Sequence, residues 1–261
     1  MIKFFRNIRQ KLLEQGKTSN YLKYAIGEIV LVVVGILIAL QINNWNEKKK
    51  INQSIANHLI ILKQNLLEDK AQLKLLHQNM SDNFNYADSL MMQFKTLIPI
   101  DQKTTKYLGK LLLEYQFRPN KNAIETITQS NEIPFLEPRL QKAILDYYAL
   151  IESTREREQI SNNQIQSKFE NYINFNYPQV FQKNSEWDFV KNFYKDDPRP
   201  IVVINEEAFL ADKKLESLVT SRYFQSNALK KFYTDLINSC NKILKSLQSL
   251  LANKSIKTTA V

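Results

Sequence analysis

Enzymatic chemistry needs activated nucleophiles, acid–base pairs or metal ligands, and this 261-residue chain offers few residues spaced for any of them. Its two histidines, His58 and His77, lie nineteen residues apart, about 100° around one helix. A single straight helix therefore cannot bring both to one metal. No His-Glu-x-x-His, Cys-x-x-Cys or Glu-x-x-His spacing occurs, so no metal-ligating residue is expected. Acids stand side by side at Glu68-Asp69, Asp196-Asp197 and Glu206-Glu207. The last pair follows Asn205 at an expected helix start, where negative charge complements the macrodipole. The other two read as solvated face or loop. The lone Cys240 falls on an apolar helical face and reads as core, and no Ser, Cys or Lys has a neighbour that would activate it. These patterns predict no catalytic residue, no cofactor and no enzymatic activity.

Composition narrows the classes further. Lys and Arg number 36 against 26 acids, a net charge of +10. Residues 1–50 hold nine of those cations against three acids, or +6, and the other 211 residues hold only +4. A basic excess gathered at one end, without a basic stripe elsewhere, argues against nucleic acid and for anionic lipid headgroups as a partner. A single cysteine excludes an internal disulfide. Of four glycines only Gly109 lies beyond residue 35, which excludes phosphate-cradling loops and strand-rich folds with tight hairpins.

The positioning elements begin with Tyr24–Ile42, YAIGEIVLVVVGILIALQI. Nineteen residues at 1.5 Å each reach roughly 28 Å, the thickness of a hydrocarbon core. Twelve are Ile, Leu or Val, together worth about −5 kcal/mol for insertion, against at most about +3 for Glu28. Ahead of it, MIKFFRNIRQKLLE sets Ile2, Phe5, Ile8 and Leu12 on one face and Lys3, Arg6, Arg9 and Lys11 largely away from it, the pattern of a basic helix lying among headgroups. No small-x-small cleavage site follows Leu40, so an uncleaved anchor is expected rather than a signal peptide. Six cations precede the span and Lys48, Lys49 and Lys50 follow it, which favours a cytoplasmic N-terminus. Tyr21, Tyr24 and Trp45 are placed as interfacial aromatics. Ala25, Glu28, Val32, Gly35 and Ala39 share one helical stripe, and Gly35 and Ala39 form a small-xxx-small pair. That stripe reads equally as a helix-packing face and as a snorkelling Glu28 beside incidental small residues.

Two stretches resemble a large uncharacterised family of Gram-negative single-pass membrane proteins carrying a domain of unknown function. The first is YAIGEIVLVVVGILIALQINNWNE (24–47) with its preceding basic start. The second is AIETITQSNEIPFLEPRLQKAILDYY (123–148), where Gln129-Ser130-Asn131 stands for the family's Ser-Ser-Gly turn. The resemblance implies an inner-membrane anchor and a mostly helical extramembrane domain, and it supplies no catalytic residues.

Beyond the span, positions 55, 59, 62, 66, 69, 73, 76, 80, 83, 87, 90 and 94 step by four and three, and ten of the twelve are apolar. The spacing predicts a helix of roughly 45–50 residues, as a bundle helix or a coiled-coil stalk. Prolines punctuate the rest of the chain: helices are expected at 102–116, 120–131 and from Pro138 onward, with Leu140, Ile144, Tyr147, Ile151, Ile165, Phe169 and Tyr172 on one side. Residues 152–163, ESTREREQISNN, are polar all round and suggest exposure or a hydrated patch. Eight aromatics crowd 172–194; Tyr177, Phe181 and Trp187 are the candidates for a ligand or partner surface, although packing is the commoner role. DDPRPIVVIN (196–205) reads as extended. A final helix, 221–253, puts Leu229, Phe232, Leu236, Cys240, Ile243, Leu247 and Leu250 on one face.

The predicted class is all-α: one N-terminal transmembrane helix, then a helical-bundle extramembrane domain with a long membrane-proximal helix. Its divisions are a basic amphipathic cytoplasmic arm (1–20), the transmembrane helix (21–46), the helical domain (47–254) and a polar tail (255–261). The expected role is a membrane-tethered scaffold or interaction module in the bacterial inner membrane, with its domain periplasmic. Membrane lipids, a second copy or a partner membrane protein are the expected contacts. The alternative is a sensory or ligand-binding domain that signals through the span.

Overall fold

The computed structural model describes residues 18–183 and 185–258, and every regular element among them is helical. In chain order these are α1 (Thr18–Thr96), α2 (Gln102–Leu111), α3 (Asn122–Gln129), α4 (Pro138–Gln164), α5 (Asn171–Asn176), α6 (Asp188–Phe193), α7 (Glu206–Leu210) and α8 (Lys213–Thr258). A π-helical turn (Ile165–Glu170) joins α4 to α5, and short 3₁₀ turns lie at Ile133–Phe135 and Pro178–Phe181. The expected basic arm falls largely outside the described residues, Lys3, Arg6, Arg9 and Lys11 with it. The side chains of 255–261 lie outside them as well.

Helix α1 runs 79 residues because nothing in it stops a helix: its prolines are none and its glycines are Gly27 and Gly35. It ends where Leu97 turns into the left-handed region at φ 55°, two residues before Pro99. The chain divides into two packing units, Met1–Asn57 and His58–Val261.

In the first unit, α1 carries one stretch of 18 residues with mean hydropathy 2.6 and none of it buried. The large apolar side chains from Ile26 to Ile42 are each 47–63% exposed. Among the described residues this is the one helix long and apolar enough to cross a membrane.

The second unit is a helical bundle with its own core. From Leu59 to Phe94 every position of the predicted seam is buried, and the covering elements belong to the same chain. Tyr147 of α4 reaches Asp69 with its hydroxyl, and Cys240 of α8 donates Sγ–H to the Leu66 carbonyl at 3.1 Å. Helices α4 and α8 pack along each other. Around the last turns of α1, Leu90 and Phe94 gather Leu108 and Leu111 of α2, Ile173 of α5, Phe209 of α7 and Leu215 of α8. Each fully buried Leu contributes about 1.5–3 kcal/mol.

Several boundaries differ from expectation for identifiable reasons. Helix α2 stops at Leu111 rather than 116; Leu112 and Leu113 N–H return to Gly109 and Lys110 O, and farther on Phe117, Arg118 and Asn120 donate to side chains of α1 and α4 instead. Helix α8 starts at Lys213 rather than 221. Asp212 caps it, accepting from Lys214 and Leu215 N–H at 3.0 and 2.9 Å. Its inward face then carries Tyr233, fully buried, with Phe232 only half-buried. Helix α4 begins on Pro138 as expected. Residues 152–163 are exposed on one side, as expected, but not all round: Thr154, Glu158 and Ser161 are buried.

Candidate functional site

The segment 112–121 explains the most unusual side chains in the bundle. Pro119 has no N–H and disfavours a helical Arg118, so the chain straightens. Its backbone donors then need acceptors, and bundle side chains supply them. Phe117 N–H donates to Glu158 Oε1 at 2.9 Å, Arg118 N–H to Gln72 Oε1 at 3.1 Å, and Asn120 N–H to Asp69 Oδ1 at 2.9 Å. Residues 112–121 thus form a strap held by α1 on one side and α4 on the other.

Two of those acceptors are buried acids, Asp69 at 3% and Glu158 at 1% exposure. Asp69 is therefore no solvated-face residue, which corrects the expectation for the Glu68-Asp69 pair. Desolvation pushes both carboxyls above their usual range, against the hydrogen bonds that favour the ionised forms. The two differ in how completely they are satisfied. Asp69 uses both oxygens, Oδ1 for Asn120 and Oδ2 for the Tyr147 hydroxyl at 2.9 Å. Glu158 crowds its donors onto Oε1, which also accepts from the Tyr233 hydroxyl at 2.7 Å. Its Oε2 is buried without a hydrogen-bond partner among the described residues. A cavity of about 290 Å³ opens between the strap and α4, with Phe117, Arg118, Pro119, Lys121, Arg155 and Glu158 in its wall. Lys121 is paired with Glu152 at 2.6 Å.

Farther along the α4–α8 interface, Arg222 is 2% exposed; Nη1 donates to Ser161 Oγ at 3.0 Å and Nε finds no partner. Burial lowers its pKa to about 10. Sequence spacing does not single out Glu158, Ser161 and Arg222, because their partners lie 41–75 residues away. One signal was present: 140, 144, 147, 151, 154, 158, 161 and 165 continue a four–three seam straight through the polar stretch.

The aromatic candidates are drawn into packing. Tyr177 is buried, and its hydroxyl and that of Tyr172 both donate to Asp212 Oδ2, at 2.6 and 2.7 Å. Phe181 and Trp187 stack at 5.4 Å over the core, with Trp187 against Gly109. The exposed aromatics are instead their neighbours Phe175, Phe189 and Phe193. In the apolar part of α1, Val32, Gly35 and Ala39 are exposed, whereas Ala25 and Glu28 are half-buried. Among the described residues nothing lies within 4 Å of where a Cβ on Gly27 or Gly35 would sit. Trp45 is exposed, with the Lys49 ammonium 5.6 Å over its ring. The side chains of Tyr21 and Tyr24 lie outside the described residues.

Several of the residues weighed for chemistry are occupied structurally. His58 Nδ1 lies 2.6 Å from Oε2 of the buried Glu132. Burial pushes the Cys240 thiol up to about 12. Asn205 caps α7 through Ala208 N–H, with Glu206 and Glu207 in the first turn as expected. Asp197 is held down to about 2 by the Arg199 guanidinium it chelates. Among the described residues no group of three or more His, Cys, Asp or Glu is placed to hold a metal ion.

Residues 28–174 match the model of a family described as a family of unknown function, DUF6090. No curated protein and no solved structure matches the chain.

Proposed function

We propose, from the premise that the chain belongs to this family of unknown function, that it is a membrane-tethered helical scaffold or interaction module without catalytic activity. The observation that carries the reading is the apolar first part of α1, whose large apolar side chains from Ile26 to Ile42 are exposed among the described residues. In water that surface is strongly unfavourable; in a bilayer it is the anchor, and every backbone group is already paired within the helix. The second unit has its own buried core and needs no further cover along the α1 seam.

In this reading the anchor sits in the inner membrane of a Gram-negative cell. The N-terminus is cytoplasmic, the domain periplasmic, and lipids contact Trp45 and the basic arm. Self-association runs through the Ala25, Glu28, Val32, Gly35 and Ala39 stripe, where Gly35 leaves room for a second backbone to approach closely. Topology is testable with thiol labelling. Cys240 is buried and its thiol bonded, so a cysteine placed at exposed Lys50 reports alone. Labelling of K50C by a membrane-impermeant maleimide in spheroplasts supports the orientation; labelling only after lysis refutes it. Cross-linking in native membranes that yields monomers alone, or recovery of the full chain in the soluble fraction, refutes the self-associating anchor.

A further inference from the structure

We propose that the cavity between the strap and α4 binds a small zwitterion, its ammonium on Glu158 and its anionic group on Arg155 and Arg118. The inference is independent of the anchor reading.

The first argument is the asymmetry between the two buried acids. Both hold the strap, but Asp69 is completed by the chain itself, whereas Glu158 keeps one oxygen with no donor. A buried carboxylate oxygen left unsatisfied is costly and calls for an explanation. Glu158 lines this cavity, and Asp69 does not. The second argument is charge. Phe117 N–H and Tyr233 O–H both donate to Oε1, which presents Glu158 as an acceptor. A ligand cation that donates a hydrogen bond supplies what Oε2 lacks and neutralises the buried charge. The third is the mouth. Among the described residues no hydrogen bond or ion pair reaches the guanidinium of Arg118 or Arg155, and Arg155 stands one helical turn from Glu158. The Arg155 charge acts on Glu152 and Glu158 from a distance, yet both guanidinium groups keep their hydrogen-bond donors for a carboxylate or phosphate. Phe117 and Pro119 give the wall its apolar part. A volume of about 290 Å³ is at the small end of ligand sites. An ammonium and an anionic group a few bonds apart are shared by free α-amino acids and by the ethanolamine-phosphate headgroup.

The experiment is calorimetric titration of the full chain in maltoside micelles. The probes are L-alanine, L-glutamate and O-phosphoethanolamine, with lactate and ethylamine as half-ligands. E158Q keeps an oxygen for Phe117 and Tyr233 while removing the charge; R155Q changes an exposed side chain. The expected result is saturable binding of at least one zwitterion that weakens about tenfold or more in both variants, with each half-ligand binding more weakly. Preference for amino acids assigns a soluble ligand, and preference for O-phosphoethanolamine assigns a headgroup. The proposal is overturned if no zwitterion binds more tightly than about 1 mM, if lactate binds as well as alanine, or if either variant, with its melting temperature unchanged, binds like the parent.

Discussion

If Asp69, which holds the strap through one oxygen, is completed by Tyr147 on the other, the two residues must be energetically coupled, and a double-mutant cycle measures it. Asp69→Ala strands the hydroxyl of a fully buried Tyr147 and removes the acceptor of the half-buried Asn120 N–H. At about 1–3 kcal/mol for each stranded donor, less the relief of no longer burying a charge, the expected loss is about 2–4 kcal/mol. Tyr147→Phe leaves Asp69 Oδ2 buried and unpaired, a loss of about 1.5–3 kcal/mol. In the double variant neither stranded partner of that bond remains, so it falls short of the sum by about 1.5–3 kcal/mol. The folded unit, His58–Val261, is of the size in which 1 kcal/mol moves the melting temperature by about 2–4 °C. Thermal unfolding of the full chain in micelles, followed by helical circular dichroism, reads all four corners of the cycle. Additivity within about 0.5 kcal/mol would refute the reading that Tyr147 completes the buried Asp69.

Other consequences are equally open to measurement. The raised carboxyls bind protons more tightly folded than unfolded, so their stabilisation is full below the ordinary value of 4.5 for Glu158 and is lost as pH rises through the raised one. The melting temperature of wild type relative to E158Q should therefore climb as pH falls from neutral toward about 4.5, and a constant difference would contradict it. Asn131→Gly should be neutral or stabilising by up to about 1 kcal/mol, and Asn131→Val destabilising by about 1 kcal/mol or more, in urea titrations. Leu66→Ala should cost about 2–5 kcal/mol in the same titrations, whereas Leu75→Ala, 63% exposed, should stay within about 0.5 kcal/mol. Gly35→Leu should leave the melting temperature unchanged while lowering cross-linked dimer in membranes, and equal cross-linking would remove the stripe as a contact face.

What could be read in advance was what repeats. The seam of α1 was legible because every third or fourth residue answers to the same buried face, even where Asp69 and Asn83 interrupt it. Proline positions were legible because they forbid helix locally. Long-range polar pairing was not: nothing near Glu158 in sequence announces Phe117 or Tyr233, and nothing near Asp212 announces Tyr172 or Tyr177. Helix α8 shows the same division. Its apolar steps were visible, but its start depends on a cap clamped by two distant tyrosines. Burial alone would raise the Asp212 carboxyl; the bonds from those tyrosines and from the Lys214 and Leu215 backbone outweigh it and hold it low. The Gln129-Ser130-Asn131 turn is instructive in the other direction. Asn131 sits at φ 53°, with Glu132 N–H returning to Ile127 O and Asn131 N–H to Thr128 O, the double bond pattern of a left-handed helix end. Asparagine there adopts the left-handed backbone that glycine takes at no steric cost.

A segment gripped by its amides is indifferent to its spelling wherever its side chains face outward. At 118 and 120 almost any residue with an N–H will serve, while the identities that matter are written elsewhere, at 69, 72 and 158. Substitutions that reshape this edge of the bundle will thus arise dozens of residues from where their effect is seen. Drift within 112–121 can retune the mouth charges at Arg118 and Lys121 without loosening the grip beneath them.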